Sequence, residues 1–146
     1  MSGPLFPTAP PSVTRLVVAW LAAEFGVGAV GSKRPQAGVL PYRMVTVVAG
    51  TENSQKWLQC ATVSVHTFAA DMDSAEYEAS LTHERMLLMG PPFAGYQDIS
   101  YSIPTGDTVT ASPRSVVTKA IPTYLSYEDE LIYRFYARYE VDVRFQ

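Results

Sequence analysis

Hydrophobic and polar positions along the chain change period several times, and each change marks an element. Val13, Leu16, Val17, Trp20 and Leu21 recur at helical spacing behind Ser12, a good N-cap. Gly26 and Gly28 stop this first helix near Phe25. Gly26 to Pro41 is a Gly/Pro-rich connection with a short strand candidate over Ala29–Ser32. Tyr42–Ala49 is β-rich, Gly50–Gln55 reads as a turn, and Trp57–Phe68 alternates as a second strand, so the pair forms a hairpin. Asp71–Met89 is helical: Met72, Ala75, Ala79, Thr82, Met86 and Met89 make one stripe. Asp71 or Asp73 caps it, with Glu76 placed as in a capping box, and Gly90-Pro91-Pro92 ends it.

Phe93–Glu130 is less regular. Gln97–Ile103 and Ser115–Ala120 read as strands, Pro104–Asp107 as a turn, and Pro113 and Pro122 as breaks, which predicts a projecting loop or hairpin. The last segment, Leu131 to Phe145, is the most regular. Tyr133, Phe135, Ala137, Tyr139, Val141, Val143 and Phe145 alternate with Arg134, Tyr136, Arg138, Glu140, Asp142 and Arg144. Such unbroken period-two alternation predicts a half-buried antiparallel strand of about 40 Å. The expected fold is α+β: one mostly antiparallel, mixed sheet of about four to five strands with two helices on one face. Residues 1–11 form a Pro-rich extended arm, and 12–146 a single domain.

Composition adds little to this picture. The net charge of −3 and the absence of a basic run give no support for nucleic-acid or anionic-membrane binding. No segment reads as a signal peptide or a membrane span. With one cysteine, Cys60, no intrachain disulfide forms, and a reducing cytoplasm, or a particle assembled there, is the expected setting. The nine tyrosines suit a core and an interface equally well.

Candidate chemistry is sparse. His66 and His83 are the only histidines, and Thr82-His83-Glu84-Arg85 lacks the second histidine of a zinc motif. Cys60 and His66 share a strand face but stand about 20 Å apart along it, so they form no dyad, and Cys60 reads as a small buried side chain. Asp71 and Asp73 are explained by capping, and Glu128, Asp129 and Glu130 by a solvated turn. No catalytic residue, metal ligand or cofactor is expected.

Several stretches, in order, carry a resemblance to a known family. They are Val13–Leu21, Val30-Gly31-Ser32-Lys33-Arg34-Pro35, Tyr42–Gly50, Val63–Ala69 with the helix that follows, and Tyr133–Arg144. Together they resemble the tail terminator, or tail-completion, proteins of long-tailed bacteriophages, particularly those of actinobacterial phages. The arm and the Tyr96–Glu130 region are more elaborate than in simple members. The resemblance implies a non-enzymatic virion protein: a ring, typically a hexamer, that caps the tail tube, stops its growth and joins it to the head–tail connector or stopper protein. DNA only passes through the lumen, and no membrane or cofactor is involved. Such a ring needs two unlike side faces that complement each other. Candidates for subunit or partner contacts are Leu5 and Phe6 on the arm, Lys33 and Arg34, Asp107 and Arg114, and Arg134, Arg138 and Arg144 on the charged strand face. A simply solvated face is the alternative for each of Lys33, Arg34, Arg134, Arg138 and Arg144. Another neck component and a small cytosolic ligand-binding domain are the competing functions.

Overall fold

A computed structural model describes residues 12–33, 39–53, 58–126 and 131–145. Helix α1 spans Val13–Phe25 and buries Val13, Leu16, Val17 and Leu21. Ser12 Oγ accepts from the Arg15 amide at 3.2 Å, the N-cap bond that the sequence predicts. At the other end Gly26 has φ 100° and returns its N–H to the Ala22 carbonyl. That backbone region favours glycine, so the helix ends where the sequence says it should.

A 3₁₀ turn, Val27–Ala29, leads to β1, Val30–Gly31. Then follow β2 (Tyr42–Asn53), β3 (Leu58–Ala69), α2 (Met72–Leu87), β4 (Ile99–Ser102), β5 (Thr108–Leu125) and β6 (Tyr133–Phe145). The strands form one sheet in the order β1-β2-β3-β6-β5-β4. β1 runs parallel to β2 and every other pair is antiparallel. The fold is therefore α+β with a mixed sheet, but of six strands rather than four to five.

Two further corrections concern glycine and proline. β2 continues through Gly50, where a turn is expected. A Cβ there would lie 3.1 Å from the Cys60 carbonyl oxygen, so this glycine serves close approach of two strands. Within the irregular third of the chain lies one 18-residue strand, β5, paired along β6. Its ladder steps at Pro113/Ser115, Thr118/Ala120 and Ala120/Thr123. These bulges absorb Pro113 and bracket Pro122, so neither proline breaks the strand. The hairpin expected in this region is β4–β5, turned over Ile103–Asp107 with Gly106 at φ 91°.

Asp71, not Asp73, caps α2; its carboxylate accepts from the Ser74 amide and hydroxyl. Ala75, Ala79, Thr82 and Met86 are the buried stripe, while Met72 is exposed. Ala75 and Ala79 are small enough to sit closely on Ala69 and Phe135. The odd-numbered residues of β6 face the helices: Ala137, Tyr139, Val141, Val143 and Phe145 pack with Leu16, Val17, Leu21 and Met86. The two helices are latched together. Trp20 Nε1 donates to the Arg85 carbonyl at 2.8 Å, and the Arg85 guanidinium donates to the Trp20 carbonyl and lies 3.5 Å from the indole centroid.

Under the helices, Arg43 is 2% exposed. Its Nε donates to Thr82 Oγ1 at 3.0 Å, its Nη2 pairs with the Glu78 carboxylate, and its guanidinium lies 3.7 Å from the Phe25 ring centroid. One charged side chain thus ties β2 to both helices. No helix among the described residues is long and apolar enough to cross a membrane.

Candidate interaction surface

With both helices on one face, the even-numbered residues of β6 occupy the other. Register places their neighbours. Arg134 lies opposite Phe68, Tyr136 opposite His66, Arg138 opposite Ser64, Glu140 opposite Thr62, Asp142 opposite Cys60 and Arg144 opposite Leu58. The alternation that predicts the strand therefore also lays a row of charged groups across the middle of the sheet.

The row runs in blocks of one sign, two arginines, then two carboxylates, then Arg144. Arg134 and Arg138 straddle His66 and Tyr136 toward one end. Arg138 is exposed, its guanidinium 5.9 Å from the Tyr136 ring centroid, and pairs with no described carboxylate. Arg134 is half-buried and donates to the Ser126 carbonyl at 2.9 Å. Between them the His66 Nε2 lies 3.1 Å from Ser64 Oγ, and the ring stacks on Phe68. Burial, and then the two nearby guanidinium groups, hold its pKa below the ordinary histidine value, so His66 is neutral at pH 7.

Glu140 and Asp142 form the acidic part. Asp142 accepts from Ser115 Oγ at 3.1 Å, and Glu140 pairs with Lys119 at 3.4 Å. Cys60 joins them, with one donor atom from each of the three within 4.8 Å of the others. It is half-buried on this face and not a core residue. A hydrogen bond to Asp142, then burial and the two negative charges, push its thiol up to about 12. A thiol so raised stays protonated and is a poor nucleophile. His66 turns to Ser64 and away from Cys60, in keeping with their separation along β3. His83, on α2, hydrogen-bonds through Nδ1 to the buried Tyr139 hydroxyl at 2.7 Å.

The nine candidate contact residues do not gather in one place. Arg134, Arg138 and Arg144 share the open face, Arg144 toward its far end opposite Ser112. Lys33 is exposed after β1, where its carbonyl accepts from the Tyr42 hydroxyl. Asp107 is exposed in the β4–β5 turn, accepting from Thr105. Arg114 is exposed over the Tyr96 ring, 4.8 Å from its centroid. Leu5, Phe6 and Arg34 lie outside the described residues, as do the residues 1–11 arm and the Glu128–Glu130 cluster. Sequence reasoning misses Ser64, Ser115 and Lys119 as partners of the charged row. Their only signal is parity, and parity does not say which strand becomes a neighbour. It also misses the exposed apolar positions of β5, Val117, Ile121, Tyr124 and Leu125, which lie beyond the short stretch paired with β4.

No family model matches the chain, and no curated protein matches it.

Proposed function

We propose that this chain is a structural virion protein, the ring-forming tail terminator of a long-tailed bacteriophage, and not an enzyme. The observation that supports this best is the charged sheet face opposite the helices. Both helices sit on the other side, and this face carries a 13-residue strand whose charges run in blocks, Arg134 and Arg138, then Glu140 and Asp142, then Arg144. Its titratable cysteine and histidine are held protonated and neutral respectively. That favours a contact surface over chemistry. Of the stretches that carry the family resemblance, Val13–Leu21 lies on α1, Val30–Gly31 on β1, Tyr42–Gly50 on β2, Val63–Ala69 on β3 and Tyr133–Arg144 on β6, while Arg34 and Pro35 lie outside the described residues.

A subunit of a closed ring meets its neighbours through two unlike surfaces. The charged row, bordered on the same face by the apolar Val117 and Leu125 opposite Glu140 and Arg134, is one such surface. In this reading the subunits form a ring, a hexamer by the family resemblance, on the end of the tail tube. The ring stops tube growth, receives the head connector and lets DNA through without reading it.

The test is electron microscopy of tails made by a phage that lacks this chain. Overlong tails are the expected result. Tails of normal length without heads assign the chain to another neck component, and normal particles remove it from the neck altogether.

A further inference from the structure

The two edges of the sheet flank α1. β1 and β4 are the outermost strands, and α1 touches both. They do not meet, and between them the outer side of α1 is the floor of a groove of about 910 Å³. Ala19, Ala22 and Val18 form the floor, Gly31 stands on the β1 side, and Ser100 and Tyr101 on the β4 side. The core stripe of α1 points the other way, so the groove is not needed to close the core. Near it Val27 is 85% exposed. Arg15 is the one charged residue among the described residues that line it.

Ser12 also lines the groove, and its amide donates to Tyr101 Oη at 3.0 Å. The residues before it, MSGPLFPTAPP, contain no charged side chain. Pro4, Pro7 and Pro10 recur every three residues; a polyproline II conformation, whose repeat is three, would put them on one ridge and Leu5 and Phe6 on the other two. At about 3.1 Å per residue such an arm reaches roughly 34 Å, whereas the 13 residues of α1 cover only about 20 Å. To lie in its own groove the arm must reverse direction just before Ser12. Pro10 and Pro11 stand there, fixing φ at both positions and restricting the residue before each.

We infer that the groove receives residues 1–11 of a second copy of this chain, with Leu5 and Phe6 seated on the small residues of α1. An uncharged apolar arm suits a groove of alanines and serines, and the outer edge of β4 offers backbone groups to an extended segment. Each copy then gives an arm and accepts one. That head-to-tail contact deepens the ring reading, and the inference rests on that reading for closure.

Disulfide trapping tests it. In a Cys60→Ser background, Phe6→Cys is combined with Ala22→Cys or, in a second variant, with Val27→Cys at an exposed position that the fold tolerates. The oxidised chains are run on a non-reducing gel. Interchain dimers and a higher ladder, absent when either cysteine is alone, are expected from at least one pair. An intrachain bond, or no bond from either pair, overturns the inference. In the otherwise native chain, Leu5→Asp with Phe6→Asp should weaken self-association at least tenfold in sedimentation without changing the circular dichroism spectrum. Unchanged association overturns it as well. A ladder together with normal-length tails in the phage experiment would keep arm exchange and remove the terminator reading. Overlong tails without a ladder would do the reverse.

Discussion

Replacing Arg43 with alanine removes the only buried charged side chain among the described residues. Its partner Glu78 is 24% exposed, so the orphaned carboxylate is only partly rehydrated. Breaking a buried ion pair from one side costs about 3–5 kcal/mol, and the partial access of water to Glu78 places this case near 3. Loss of the charged donor to Thr82 Oγ1 adds about 1 kcal/mol, and loss of the cation–π contact with Phe25 about 1 more. These terms overlap, so the expected loss is about 4 kcal/mol, a large part of the roughly 5–15 kcal/mol available to a domain. Urea denaturation measures it. With m near 2 kcal/mol/M, the midpoint falls by about 2 M while m stays constant. The double variant Arg43→Ala/Glu78→Ala should recover about 2 kcal/mol relative to the sum of the two single losses, because it leaves no unpaired charge. A single-variant loss below about 1 kcal/mol, or strict additivity, would refute the claim that this pair ties β2 to both helices.

Three further outcomes are expected. Trp20→Phe leaves the Arg85 carbonyl without its 2.8 Å donor and should cost about 1 kcal/mol, seen in calorimetry as a Tm lower by about 3–5 °C; an unchanged Tm would detach the latch from stability. His66 and His83 are both held below the ordinary value of 6.5, chiefly by burial, so the unfolded chain takes up protons that the folded chain refuses. Stability is therefore full above about pH 6.5 and falls as the solution is acidified below it, and His66→Gln should flatten part of that fall in urea midpoints. Cys60, with its thiol raised chiefly by Asp142, should react with iodoacetamide at pH 8 at least a hundredfold more slowly than a free thiol, and Asp142→Asn should speed it at least tenfold; equal rates in the two chains would show that Asp142 does not set the thiol.

Local patterns foretell local structure here, and long-range pairing explains the exceptions. The α1 stripe, its Ser12 and Gly26 ends and the period-two alternation of β6 are all written in neighbouring residues, and the structure follows them. β5 is different. Pro113 and Pro122 carry real local costs, but pairing along β6 overrides them by stepping the ladder at the bulges. Gly50 looks like a turn because glycine usually is one, and the close Cys60 backbone that requires it is supplied only by the β2–β3 register. The same limit applies to the open face. Its charges are legible along β6, whereas the meeting of Cys60 with Asp142, or of Arg138 with Ser64, depends on strands far apart in the chain. Arg43 shares its side of β2 with Val45, and an arginine in phase with core positions is the one sequence signal of the buried pair.

We propose that this chain forms the ring at the head-proximal end of a tail tube. A cryo-electron microscopy map of the neck of the intact particle tests it most directly. The expected map shows a closed ring of copies of this six-stranded subunit seated on the last tube ring, with the β6 charged row or the outer part of β5 in subunit contacts. Density for this subunit elsewhere in the particle, or a tube end occupied by another fold, would contradict it.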